Sequence, residues 1–213
     1  MRGLLQEHGL TIARGARTAL TTIPQLLADV DAPIPMRLRA VVAPLLAEVR
    51  ALEADLTALE RELAHIAASD PIAQRLMGIP GIGLLTATAS IATVGHIHAF
   101  TRARRFASWL GIITPSERSS AQRRRLGAIS KRGDVYLRCL LTHGARAVLL
   151  AAHRAETQHR ELTRLQQWAL DVRRRRGHNK AAIAVANKLA HIVWAVWSRD
   201  VDYTDRPALT AAA

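Results

Sequence analysis

Apolar residues recur at alternating intervals of four and three at Leu38, Val42, Leu45, Val49, Leu52, Leu56, Leu59, Leu63 and Ile66. This is the seam of a heptad helix, and it predicts one long helix with a narrow stripe for a partner helix. Glu48, Arg50, Glu53, Asp55, Glu60, Arg61 and Glu62 lie off the seam, as a solvent-facing surface requires. Pro44 removes a backbone donor near the start, so the first turn is expected to be separate or kinked. Two readings of the seam stand. A coiled coil between copies of the chain is preferred, and a helical hairpin within one chain is the alternative.

Ahead of the seam, residues 1–30 predict one or two short helices, closed by the break Asp31-Ala32-Pro33-Ile34-Pro35. Behind it, Asp70 reads as a helix N-cap and Pro71 as the first helical residue. The run Ile79-Pro80-Gly81-Ile82-Gly83-Leu84-Leu85-Thr86-Ala87 then reads as a helix-hairpin-helix. Gly81 and Gly83 allow a tight turn whose backbone N–H groups, with the positive end of the following helix, can hold a phosphate without reading sequence. A plain helical turn with a glycine cap is the alternative.

Further helices are predicted over residues 86–94, 100–110, 135–152, 156–176 and 180–197. Phe106, Trp109 and Leu110 face inward on the second of these, leaving Arg102, Arg104 and Arg105 for phosphates. Gly111 and Pro115 break the pattern. A small β-hairpin is expected next, one arm near Ile112-Ile113 and the other near residues 126–129. Asp134 should cap the following helix, with Val135, Leu137, Leu140, Leu141 and Ala145 inward and Cys139 as a small buried hydrophobe. Trp194 and Trp197 are expected to pack rather than stack on bases, and the tail from Val201 to fray. The fold class predicted is mainly α: a long coiled-coil helix, then a helical domain with a helix-hairpin-helix and a small β-hairpin.

Composition supports helices. The apolar fraction is 49%, but aromatics contribute only 4%, and strands favour aromatic and β-branched residues. The formal charge is +13 and the isoelectric point about 11.5, which argues for a polyanionic partner, nucleic acid before membrane. The charge is concentrated: residues 101–180 hold 19 Lys/Arg against 5 Asp/Glu, so they net +14 and the remainder nets −1. A single cysteine excludes an internal disulfide and is compatible with a reducing cytoplasm. No apolar run approaches the roughly 18 residues of a membrane span, and the amino terminus lacks the apolar core of a signal peptide. His96 and His98 have no Cys, Asp or Glu beside them, so no metal site is expected there.

The densest candidate chemistry runs from Trp109 to Arg138. Ser119-Ser120 sits between an apolar run and a basic segment with Arg123, Arg124, Arg125, Lys131, Arg132 and Arg138. A hydroxyl on a loop ringed by cations suits a phosphodiester: the cations neutralise the phosphate and oxygen can attack. The plain alternative is a solvated basic loop. Arg173 to Arg176 add a further basic run that is either a solvated helix end or a phosphate contact.

Taken together, Ile79 to Ala87, the Trp-Leu-Gly run from Trp109 to Pro115, Ser119-Ser120 and Gly127 to Arg138 resemble the carboxy-terminal two thirds of the DEDD-type insertion-sequence transposases, the bridge-RNA-guided serine recombinases. The resemblance covers roughly residues 1–200 and implies four segments. Residues 1–35 would be the end of a RuvC-like domain with its linker, and 36–69 a coiled coil. Residues 70–200 would be the transposase domain, and 201–213 a flexible tail.

The resemblance also implies a serine that attacks DNA to form a phosphoserine link. The spacing from Pro115 and to Gly127 assigns that role to Ser120, with Ser119 as the fallback. It implies DNA, a structured guide RNA and a homodimer or higher oligomer as partners, with no membrane, in the cytoplasm. No cofactor is expected on this chain. Magnesium is expected only on the acidic residues of the RuvC-like domain, whose strands do not precede Met1-Arg2-Gly3. The expectation is therefore a transposase fragment active when combined with that domain, or alternatively a non-catalytic nucleic-acid-binding remnant or dominant-negative partner. One departure bears on placement: Ala121-Gln122 follow the serine pair where the family has glycine, and alanine disfavours positive φ.

Overall fold

The computed structural model describes residues 1–113, 116–119, 123–126 and 128–205, with backbone alone for 116–119 and 123–126. It is mainly helical, with one two-stranded antiparallel ribbon, and it divides into two compact units, Met1–Glu62 and Leu63–Ala213.

The first unit holds α1 (Arg2–Gln6), α2 (Ala16–Ala28) and most of α3 (Met36–Ser69). Leu5, Ile12, Ala19, Ile23, Ile34, Val42 and Leu46 form its core. The turn ahead of Pro44 is not a separate element: α3 includes Pro44 within one continuous helix. Near the start of α3, packing against the unit's core selects Leu46 over the heptad position Leu45, which stays exposed. Arg39 is a structural residue that the apolar pattern does not reveal. Its guanidinium donates to the carbonyls of Leu27 (2.6 Å), Asp29 (2.7 Å), Ala32 (3.2 Å) and Ile34 (3.2 Å), fixing the connection between α2 and α3.

In the second unit, α4 (Pro71–Met77) starts as Asp70-Pro71 predicts: the Asp70 carboxylate accepts from the N–H groups of Ile72 (2.8 Å) and Ala73 (3.3 Å). Then follow α5 (Leu84–Val94), a 3-10 turn at Ile97–Ala99, α6 (Ala103–Trp109), and strands β1 (Ser116–Ser119) and β2 (Arg123–Leu126). Three long helices complete the unit: α7 (Val135–Thr157), α8 (Arg164–Arg176) and α9 (His178–Arg199). Asp134 caps α7 by accepting from Leu137 N (2.6 Å), and Thr163 with Gln166 forms a capping box on α8.

α9 is the central post. It packs against α4, α6, α7 and α8 and buries Ala181, Val185, Leu189, Val193 and Trp197 along one stripe. Trp194 Nε1 donates to the Phe100 carbonyl (2.8 Å), so this ring packs, as its position predicts. α7 and α9 are each long and apolar enough to cross a membrane by length and composition. Within the unit their apolar faces build the core around Leu137, Leu141, Val148 and Leu149. Two inward assignments on α7 are corrected. Val135 is exposed because it opens the helix beyond the packed face, and Cys139 is exposed because it lies on the side opposite Leu137 and Leu141.

The turn between α4 and α5 meets α7 glycine to glycine. A Cβ on Gly81 would sit 2.7 Å from the Gly144 carbonyl oxygen, and a Cβ on Gly144 would fall on the Gly81 carbonyl. Only two hydrogen side chains allow that approach. Gly144→Ala is expected to destabilise the second unit by about 1–3 kcal/mol through overpacking. Gly83→Ala, where a Cβ meets open space, should cost much less. Thermal unfolding of the two variants separates the cases, and equal melting points would contradict the close approach.

Candidate nucleic-acid interface

The serine segment stands on a backbone crossing. Gly111 follows α6 at φ 72°, and Gly133 precedes α7 at φ 150°. A Cβ on Gly111 would sit 2.8 Å from the Arg132 carbonyl oxygen, and one on Gly133 would meet the Trp109 carbonyl. Both positions therefore demand glycine, for conformation and for space. Around this crossing Ser130 N donates to Ile113 O and Lys131 N to Gly111 O, each at 3.1 Å.

Above it lies the ribbon, pairing Ser116 with Leu126, Glu117 with Arg125, Arg118 with Arg124 and Ser119 with Arg123. A hairpin was expected here, but its arms are displaced from those predicted. The strands begin after Pro115, and Ile113 pairs with Ser130, because the two glycines bring residues 111–113 against 130–131 first. Ser119 ends β1. Ser120, Ala121 and Gln122, between the strands in the sequence, lie outside the described residues, so the favoured nucleophile has no geometry here. The backbone of Arg123, Arg124 and Arg125 forms β2.

The other cations divide. Lys131 and Arg132 are exposed beside the crossing, and Lys131 holds a left-handed conformation (φ 55°) that is costly for a residue with a Cβ. Arg102 and Arg105 are exposed around the start of α6, with Arg104 beside them. Arg138, by contrast, is half-buried and committed to structure: its Nη1 donates to the Leu110 carbonyl at the end of α6 (3.0 Å). A cation at a helix carboxy terminus is favourable, so Arg138 ties α7 to the platform under the ribbon. Arg174 is also engaged, bridging Glu156 of α7 and Asp171 of α8.

The two glycines of the α4–α5 turn also part company. Gly81 (φ 84°) points at α7, whereas Gly83 is exposed and caps α5 from an extended conformation with open space around it. Gly83 and the first turn of α5 are thus the part of this turn free to meet an anion. Among the described residues no three His, Cys, Asp or Glu side chains converge, so the donor set for a magnesium ion is not found there.

Comparison with known proteins fits this layout. Residues 73–160 match the model of the transposase IS116/IS110/IS902 family. The match spans the α4–α5 turn, the ribbon and α7. The chain is similar to a transposase for insertion sequence element IS1111A of Coxiella burnetii, 40% identical over 203 residues, which are 95% of this chain and 54% of that protein. It is 39% identical over 205 residues to a probable family 20 transposase of Pseudomonas aeruginosa, covering 95% of this chain and 58% of the relative. A transposase for insertion sequence element IS1328 of Yersinia enterocolitica is 34% identical over 198 residues, 92% of this chain and 56% of its own. The chain spans about half the length of the curated relatives it matches. Residues 73–160 are thus the part of the chain that resembles the transposase IS116/IS110/IS902 family.

Arg138 and Lys131 give opposite expectations. Arg138→Ala should lower stability by about 1–2 kcal/mol, since it leaves the Leu110 carbonyl without its charged donor. Lys131→Gly should leave stability unchanged or raise it by up to about 1 kcal/mol, because glycine relieves the left-handed strain. Denaturant titration of both variants checks the pair, and a Lys131→Gly loss as large as that of Arg138→Ala would contradict the assignment.

Proposed function

We propose that this chain is the nucleic-acid-binding and strand-transfer part of an insertion-sequence transposase, acting on DNA in the cytoplasm. The observation that carries the reading is the serine-bearing ribbon, footed on the Gly111–Gly133 crossing, inside the strongly basic half of a chain that matches transposases. In this reading the Ser120 hydroxyl oxygen bonds to a DNA phosphorus. The bond from that phosphorus to one sugar oxygen breaks, and the serine proton passes to the departing sugar oxygen through solvent. The DNA is then held as a phosphoserine ester, poised for transfer to a second strand.

Arg123, Arg124, Arg125, Lys131 and Arg132 neutralise the phosphate and the charge that builds on it. Arg102, Arg105 and the Gly83 end of α5 grip the backbone farther along. Arg138 is a positioning residue that keeps α7 fixed to the end of α6, and Gly81 serves the packing of the turn. Magnesium chemistry would be supplied by acidic residues of a RuvC-like domain, and a structured guide RNA would select the DNA. Residues 36–69 act as a coiled coil between two copies. Support for this comes from α3, where Leu52, Leu56 and Leu59 are 53%, 60% and 62% exposed, a costly display for an unpartnered helix. Leu56→Glu with Leu59→Glu should therefore convert a dimer to a monomer in sedimentation without lowering helix content, whereas a monomeric parent chain would exclude the coiled coil.

A second reading rests on Ala121-Gln122 after the serine pair. In this reading the chain, without glycine there, binds nucleic acid but does not react, as a partner of longer copies. The deciding experiment incubates the transposase carrying this segment with donor DNA and guide RNA, then looks for a denaturation-resistant protein–DNA adduct. An adduct lost in Ser120→Ala but kept in Ser119→Ala is the expected result. Salt-dependent binding without any adduct would favour the second reading.

A further inference from the structure

A second group of basic side chains gathers where α6 and α8 pack against α9. Lys188 and His191 are three residues apart on α9 and so share a face. Lys188 places its ammonium 6.0 Å from the ring centre of Trp168 on α8, within reach of a cation–π attraction. From α6, Arg104 is near enough that its charge acts on His191. Arg104 and Lys188 are exposed, and His191 is half-buried. Among the described residues no carboxylate forms an ion pair with any of the three. The protein thus gathers cationic groups from α6 and α9 without a balancing acid among the described residues, and orders one of them over an aromatic ring. Burial first, and then the charges of Lys188 and Arg104, lower the pKa of His191.

We propose that Arg104, Lys188 and His191, with Trp168 as their floor, form a second contact for the phosphodiester backbone of nucleic acid, separate from the serine ribbon. The inference rests on the nucleic-acid-binding reading above. An anion between these groups relieves the repulsion between Arg104 and Lys188, and the packing of α6 on α9 holds their two backbones in fixed relation. Trp168 packs partly into the core and carries Lys188 on its face, so it positions the ammonium instead of offering a stacking surface to bases. The contact therefore reads charge and not sequence.

The test uses the full chain with two probes, a short DNA duplex and an RNA duplex of equal length, each in two unrelated sequences. Affinity is measured by fluorescence anisotropy between about 0.05 and 0.2 M salt. The variant Arg104→Gln/Lys188→Gln/His191→Gln should flatten the slope of log affinity against log salt by about 2, one phosphate contact for each lost permanent charge, equally for both sequences. Arg50→Gln with Arg61→Gln removes the same permanent charge from α3 and should leave the slope near that of the parent. Lys188→Arg keeps the cation and should keep the slope, which holds the test open if the triple variant melts early. Loss on the DNA probe alone assigns the face to DNA, and loss on RNA alone assigns it to RNA. A triple-variant slope equal to that of the α3 control, or a Lys188→Arg slope as flat as the triple variant, would overturn the inference. Failure of the parent chain to bind either probe would instead overturn the nucleic-acid-binding reading.

Discussion

Two peptide backbones cross at Gly111 and Gly133 with no room for a side chain on either, and the serine ribbon has its footing there. On one side the crossing receives the end of α6, and on the other it launches α7 from the Asp134 cap. Arg138 closes the arrangement by donating to the Leu110 carbonyl, so the two helices and the ribbon base form one connected piece. A short two-stranded ribbon is marginal by itself in water, so its footing at the crossing matters.

Charge and packing are shared out between the helices. α9 takes the central position with its apolar stripe, leaving its other face to carry Lys188 and His191. α6 is short, buries Phe106 and Ala107, and shows Arg102, Arg104 and Arg105 to solvent. Not every cation in the basic half is available to a ligand. Arg174 is spent on Glu156 and Asp171, and Arg138 on a carbonyl. The net charge of residues 101–180 therefore overstates the number of phosphate contacts, and the exposed unpaired cations are the better guide.

Much of the helical order was legible in local signals. Asp70-Pro71 and Asp134 each cap the helix they were expected to cap, because capping depends on a few adjacent residues. What escaped was set by contacts between distant positions. Leu46 replaces Leu45 in the core because α1 and α2 decide which face of α3 is covered, and periodicity alone cannot know this. Arg138 reads as one more phosphate ligand, and the sequence does not reveal that it also donates a hydrogen bond to the Leu110 carbonyl, 28 residues away. Gly81 looks like half of a phosphate turn, yet Gly144 claims it. Within the candidate site, a hairpin between Gly111 and Gly133 was legible from the turn residues, whereas the position of its arms was not, because the close approach of the two glycines sets it.

Hydrogen–deuterium exchange of the full chain with and without a DNA duplex tests the central claim most directly, because it reports binding and location together. Bound DNA is expected to slow exchange in residues 111–133 and at the starts of α5 and α6, with residues 52–59 of α3 unchanged. Protection confined to α3, or no protection across residues 111–133 under conditions where the duplex is bound, would contradict the account.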